Sequence, residues 1–291
     1  MKAPIFDYIK ANSLSEVFDL MEKWGEDARI IAGGQSLVPA MNFRLTTPSL
    51  LIDINGIEEL KGITHSQSTL NIGALTRHYE LGTSEEVTKH APLLSKAVPH
   101  IAHEAIRSRG TFGGSLVHAD PSAEIPACAM VLDGRFQLQS RQGCRSVSAR
   151  DFFKGLFETA MEPGEILVSA DFDVNEDGYQ SALCELERRQ GDYATIGVAA
   201  RAKTDSGNLF DLRLVYFALE DKPILANHAA AILEGSRGDE AAIAAAKTEL
   251  TKDLNPIGDL HTSANTKLHL AKVLLERVVK NLLKHAKGTD D

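Results

Sequence analysis

Cysteine is scarce. Only Cys128, Cys144 and Cys184 occur in 291 residues, 16 and 40 positions apart and without a CxxC pair, which fits neither a disulfide framework nor a thiolate cluster. An iron–sulfur centre needs about four well-placed thiolates, one more than this chain has, so the three are expected to be reduced and largely buried. Cations are outnumbered too: 31 Lys and Arg against 40 Asp and Glu give a formal net charge of −9. They are scattered among acids rather than gathered in a stripe, which argues against a nucleic-acid partner. No apolar run approaches ~20 residues, so no membrane span is expected. The N-terminus lacks the continuous apolar segment of a secretory signal, and a cytoplasmic address follows by default. Two common nucleotide signatures are also missing: there is no Gly-Lys-Ser/Thr of a Walker A loop and no GxGxxG.

What remains is an ordinary globular composition, 43% hydrophobic and 24% charged, over a length that suggests two or three compact units. The first helix is signalled by Ser13 and Glu16, a capping box, with Leu14, Val17, Phe18, Met21 and Trp24 on one face and Gly25 at its end. "ARIIA" and "LLIDI" read as strands around a glycine turn, and "LNIGAL" as a third. Helical stretches are expected from Thr76 to His90 and from Leu93 to Arg107, then a buried helix in "AEIPACAMVLDG". A hairpin should follow around Gln142-Gly143, then a strand in "EILVSADFDV". Asn175, Asp177 and Gly178 form a turn cluster and a domain boundary. Beyond it, "SALCELERR", "ATIGVAARAK" and "LFDLRLVYFALE" predict three antiparallel strands. Two Ala-rich helices follow, and then a long amphipathic helix carrying Leu268, Val273, Leu274, Val278 and Leu282.

Two glycine clusters stand out. "AGGQS" and "TFGGS" both place a hydroxyl just after a Gly-Gly pair. Such a pair permits positive φ and clears Cβ atoms from the amides, so that successive N–H groups can converge on a phosphate. Amide bonds to an ionised acceptor contribute ~1.5–3 kcal/mol each, so two such loops can hold a pyrophosphate without a lysine. Taken alone, such a pair is more often a plain tight turn than a phosphate site; two pairs with matching followers, ~80 residues apart, favour a function.

"ARIIAGGQSLVPAMNFRLTTPSLLIDINGIEELKGI", "IRSRGTFGGSLVHADPSAEIPA", "GEILVSADF" and "RRQGDYATIGVAA" together resemble the FAD-binding medium subunit of bacterial molybdenum hydroxylases. This is the xanthine dehydrogenase family, with its carbon monoxide, quinoline and nicotine dehydrogenases. The resemblance runs from Phe6 to the final helix. It implies an α+β chain: a two-subdomain FAD-binding domain of the vanillyl-alcohol-oxidase (PCMH) type over residues 1–177, with subdomains of about 1–57 and 58–177. A C-terminal domain of three-stranded antiparallel sheet plus helices would follow over 178–291.

Carried over by position, the resemblance puts a first pyrophosphate loop on Ala32, Gly33, Gly34, Gln35, Ser36 and Leu37, and a second on Thr111, Gly113, Gly114 and Ser115. Glu124 stands where the family has an acid, usually aspartate, that bonds the adenosine ribose. Ile101 and Leu167 match apolar positions of the flavin pocket, Tyr193 a residue near the isoalloxazine face, and Asp120 a turn beside the cofactor. Without the resemblance Leu167 and Ile101 read as core and Tyr193 as a turn residue. No catalytic side chain and no metal ligand is implied in this chain.

The implied function is that of an FAD-carrying electron-transfer subunit in an oxidoreductase complex. Electrons would come from two [2Fe-2S] clusters of a small subunit, after hydroxylation at the molybdenum cofactor of a large subunit, and leave to an external acceptor. The assembly would be a dimer of heterotrimers. The branch with an iron–sulfur insertion in the flavin subunit is set aside, because Leu70 to Arg107 contains no cysteine. Two other readings stand beside it: a self-contained flavoenzyme of the vanillyl-alcohol oxidase type, and a non-enzymatic assembly subunit whose glycine loops are only turns. His100 and His103 in "HIAHEAIR" do not complete HExxH and read as solvated residues on a surface helix. His118 and Ser115 lack a triad spacing.

Overall fold

The computed structural model describes residues 2–174 and 178–286. The N-terminal unit is a small parallel sheet covered by a helix. Strands β1 (Asp7–Lys10), β2 (Ala28–Ile31) and β3 (Leu50–Asp53) lie in the order β1-β3-β2, with β3 parallel to both neighbours. Helix α1 (Leu14–Trp24) buries Leu14, Val17 and Phe18 against them. Ser13 Oγ accepts from the N–H of Glu16, as a capping box requires, but the Glu16 carboxylate reaches one residue further back, to the N–H of Asn12. Gly25, at φ 52°, ends the helix. Between β2 and β3 the chain makes the first glycine loop and a short helix, α2 (Leu37–Asn42).

The second unit is a five-stranded antiparallel sheet, ordered β4-β5-β10-β6-β7, with helices on one side. The hairpin β4 (Ile63–His65) and β5 (Thr69–Gly73) leads into α3 (His78–Thr83) and α4 (Glu85–His90), two helices where one was expected, because Ser84 adopts an extended backbone and caps the second. Helices α5 (Pro92–Ala97) and α6 (Glu104–Arg107) replace the continuous helix expected from Leu93 to Arg107. The chain tightens into a 3₁₀ turn at Val98–His100, and Ala102 takes φ 40°. Then come α7 (Phe112–His118) and α8 (Glu124–Val131), every residue of α8 being buried. In the hairpin of β6 (Arg135–Ser140) and β7 (Gly143–Ser148) the two loop residues are Arg141 and Gln142, one position before the expected turn, with Gly143 paired to Ser140. A helical turn α9 (Ala149–Phe152), the small ribbon β8 (Phe153–Gly155) and β9 (Glu158–Thr159), and the central strand β10 (Ile166–Asp173) complete the unit.

Asn175 and Asp177 of the expected boundary lie outside the described residues, while Gly178 has the positive φ, 87°, of a turn glycine. The last unit is an antiparallel sheet of β11 (Tyr179–Leu186), β12 (Ile196–Asp205) and β13 (Asn208–Phe217), as expected, joined by a two-residue edge strand, β14 (Ile224–Leu225). Helices α10 (Asn227–Leu233), α11 (Glu240–Asp253) and α12 (Ala264–Ala286) pack on one face. The other face receives α8: Ala199, Val215 and Phe217 share one core with Ala127, Cys128 and Val131. Beyond Glu124 the helix is apolar all round and has to be covered on every side, and α8 meets that need by sitting between two sheets.

The cysteines separate. Cys128 is buried and Cys184 half-buried, but Cys144 is exposed, contrary to expectation, because it lies on edge strand β7 with its side chain away from the core.

Candidate functional site

The two glycine clusters meet. A Cβ built on Gly33 would lie 2.9 Å from Gly110 Cα and against the carbonyl oxygen of Arg109. The contact is main chain to main chain, so nothing can swing aside. A short polar relay fixes it: Asn55 Nδ2 donates to Ala32 O at 2.8 Å, Arg77 Nη2 donates to Asn55 Oδ1 at 2.7 Å, and Arg77 Nη1 donates to Arg109 O. Asn55 is itself oriented by Asp53, which accepts from both its N–H (2.8 Å) and its side-chain amide (2.6 Å). Neither Asn55 nor Arg77 carries a motif signal in the sequence.

The loops are not built alike. In the first, Gly34 has φ 72°, and Gln35 Nε2 folds back onto Gly33 O at 2.9 Å. Among the described residues no protein acceptor takes a hydrogen bond from the main-chain N–H of Gly33, Gly34, Gln35, Ser36 or Leu37. Five successive donors without a protein partner are suited to an anion of two phosphates. In the second loop the amides are already engaged. Phe112 and Gly113 donate to the carbonyls of Thr76 and Ala74, both at 2.8 Å, while Gly114 donates to Thr111 Oγ1 at 3.1 Å and Ser115 to Thr111 O at 3.0 Å. Gly113 lacks a side chain because Ala74 occupies its place, a built Cβ falling 2.5 Å from Ala74 Cβ. The second loop thus presents the N-capped start of α7 and the hydroxyl of Ser115 rather than a run of bare amides.

The other predicted residues fall into two groups. Asp120, Glu124 and Tyr193 come together. Asp120 accepts from the N–H of Ser122 at 2.9 Å in the turn before α8, and Glu124 is the first residue of that helix. Tyr193 is 73% exposed on the loop before β12, yet its phenol is held above the usual range, by desolvation of the hydroxyl and by the charges of Asp120 and Glu124. Ile101 and Leu167 are packing residues: Leu167 is 3% exposed in β10, opposite Leu138, and Ile101 is half-buried against the same core.

Burial drives the Glu124 carboxyl up to about 8; the charge of Glu185 raises it further and His100 opposes them. Near neutral pH it is protonated and can donate as well as accept a hydrogen bond. His100 is not the solvated histidine expected: its Nδ1 stands 3.1 Å from Oε1 of Glu185, a side chain 1% exposed, and the approach of that carboxylate raises its pKa. His103 does not share a helix with it; it is exposed and lies just before α6, beside Gly191.

The family described as the FAD binding domain in molybdopterin dehydrogenase matches residues 4–172. The chain belongs to that family. The family described as the CO dehydrogenase flavoprotein C-terminal domain matches residues 181–282. The chain is 39% identical over 292 residues to the 6-hydroxypseudooxynicotine dehydrogenase complex subunit alpha of Paenarthrobacter nicotinovorans, covering 100% of this chain and 99% of that protein. It is 33% identical over 283 residues to the carbon monoxide dehydrogenase medium chain of Afipia carboxidovorans, with 97% and 98% covered. In three dimensions it superposes on quinoline 2-oxidoreductase from Pseudomonas putida 86 with a TM-score of 0.93 and 39% identity, covering 98% of this chain and 99% of that one. On carbon monoxide dehydrogenase from Hydrogenophaga pseudoflava the TM-score is 0.94 at 34% identity, with 97% and 98% covered. This molybdenum hydroxylase flavoprotein is therefore similar over its whole described length to subunits of oxidoreductase complexes, and a self-contained flavoenzyme or a non-enzymatic assembly role is not favoured. No helix among the described residues is long and apolar enough to cross a membrane.

Proposed function

We propose that this chain holds FAD as the electron-transfer subunit between two [2Fe-2S] clusters of a small subunit and an external acceptor, within a dimer of heterotrimers whose large subunit carries the molybdenum cofactor. The observation that carries the reading is the run of unpartnered amides from Gly33 to Leu37, set against the second glycine loop. Those amides, with Ala32 at their head, would take the pyrophosphate. Thr111, Gly113, Gly114 and Ser115 would close the opposite side, Ser115 with its hydroxyl and Gly113 by letting α7 approach.

A protonated Glu124 suits ribose, since it can both give and receive a hydrogen bond. Tyr193, exposed beside Asp120, would lie against the ring system, with Ile101 and Leu167 backing the pocket from the core. Flavin, when bound, accepts electrons singly and gives them up singly or as a hydride. The chain's part is to fix its position and keep one edge accessible to the iron–sulfur partner. No side chain here is assigned as acid or base.

The organic substrate is selected elsewhere in the complex. The relatives are named for unlike compounds, a nicotine derivative, carbon monoxide and quinoline, yet this chain aligns with each over nearly its full length. The cytoplasm is the proposed location, and residues 1–177 and 178–291 the proposed domains. The test is spectroscopic. The full chain, purified with its companion subunits, should show flavin absorption, and co-purifying iron and molybdenum should appear in stoichiometric amounts. A colourless chain that also fails to take up added FAD would refute the assignment.

A further inference from the structure

The described residues hold one more convergence of ligand-bearing side chains, away from the glycine loops. Glu86 and His90 are four apart on α4 and therefore share a face. Strand β4, the edge of the five-stranded sheet, packs against α4 and ends at His65. His65 Nδ1 lies 3.4 Å from Glu86 Oε2, His90 Nε2 lies 3.6 Å from the same oxygen, and the three ligand atoms lie within 4.8 Å of one another. The two imidazoles are stacked, centroids 4.0 Å apart and planes 20° from parallel.

We propose that His65, Glu86 and His90 form a binding site for a zinc-like divalent transition-metal cation. Both nitrogen–oxygen separations exceed the ~2.7–3.2 Å of a good N–H···O hydrogen bond. They are close to the roughly 3.3–3.4 Å that separates neighbouring ligands around a tetrahedral ion with bonds of about 2.0–2.1 Å. An independent observation points the same way. The His90 side chain is only 8% exposed, and its Nε2 is buried without a hydrogen-bond partner although it is directed at this cluster. An unsatisfied buried ring nitrogen is costly, and a bound cation would satisfy it.

Two imidazoles and one carboxylate select for zinc and its neighbours in the transition series over magnesium or calcium, which prefer all-oxygen shells. The stacked rings must open for their lone pairs to converge. His65, 31% exposed at the end of an edge strand, is the side chain free to turn. Solvent supplies the fourth ligand. The cation then ties the edge strand to α4.

The experiment uses the full chain with whatever subunits accompany it, freed of loosely held metal by a chelator and titrated with Zn²⁺ by calorimetry and with Co²⁺ by visible absorption. The wild type should take up one equivalent with a four-coordinate Co²⁺ spectrum, and Zn²⁺ should raise its Tm. His90→Gln, and Glu86→Gln at a half-exposed position where folding is not at risk, should each lose that equivalent and the Tm response. His261→Ala, at an exposed histidine elsewhere, should keep both. No uptake by the wild type, or the same uptake and Tm shift in Glu86→Gln and His90→Gln, would overturn the proposal.

Discussion

Gly33 and Gly110 touch main chain to main chain, a Cβ on the first falling 2.9 Å from the Cα of the second. The side chain is missing at Gly33 because another segment of backbone fills its place, while the amides from Gly33 to Leu37 stay available. Gly33→Ala should therefore separate the loops rather than block a ligand. Overpacking against rigid backbone costs ~1–3 kcal/mol, and flavin retention should fall sharply because both loops move. The flavin-to-protein absorbance ratio of the purified variant measures this, and an unchanged ratio would show that the loops need not touch.

Gly34→Val and Gly114→Val are expected to weaken FAD retention for different reasons. At Gly34 the obstacle is φ 72°, which L side chains rarely adopt, together with contacts of 3.3 Å to Ile31 and 3.4 Å to Val38. At Gly114 a Cβ would meet the Thr111 side chain, its Oγ1 at 2.6 Å, displacing the cap of α7. Gly34→Val should thus be the more damaging to flavin content, Gly114→Val the milder, with the C-terminal sheet and helices folded in both. Equal and full flavin content in the two variants contradicts the loop assignment.

Arg77 is the tie between loops that carry no charge of their own. Its guanidinium joins Asn55 to the carbonyl of Arg109, and hydrogen bonds involving charged groups are worth ~1.5–3 kcal/mol. Lysine supplies the charge but not a planar fork with two divergent donors. Arg77→Lys should lower FAD affinity about tenfold or more, which corresponds to ~1.4 kcal/mol or more, and Asn55→Ala should act in the same direction. The double variant should lose less than the sum, because both residues serve one relay. Additive losses in titrations of the apoprotein with FAD would show that they act separately.

The parts of the molecule legible in the sequence are those whose signal is local. Helix α1 with Ser13, α8 with its apolar run after Glu124, the long stripe of α12 and the alternation in β12 and β13 all announce themselves locally. Strands β1, β4 and β14 do not, since each is four residues or fewer, too short for an alternation to show, and β1 exists only by pairing with the distant β3. The same divide runs through the site. "AGGQS" is readable as a loop of bare amides, whereas in the look-alike "TFGGS" the amides of Phe112 and Gly113 are taken by the carbonyls of Thr76 and Ala74, well over thirty residues earlier, which no local pattern reveals. Asn55, Arg77 and the approach of His65 to Glu86 and His90 are likewise products of the tertiary fold.

Glu124 makes a prediction about pH. Its carboxyl rises from 4.5 to about 8 in the fold, chiefly because it is buried. The folded chain keeps a proton that the unfolded chain has released over that interval. The stability tied to this group is therefore fully present below pH 4.5, declines as pH rises, and is lost once pH passes about 8. One pH unit inside the window is worth ~1.4 kcal/mol, or about 5 kcal/mol across it. Glutamine imitates the neutral acid and cannot ionise. Glu124→Gln should thus unfold at nearly the same urea concentration as wild type at about pH 5, and at a distinctly higher one at about pH 8.5. If added FAD bonds the protonated acid, it should widen the gap at the higher pH, because the glutamine variant binds it directly while the wild type must first take up a proton. Parallel urea curves at both pH values would mean that the folded chain already carries Glu124 as a carboxylate.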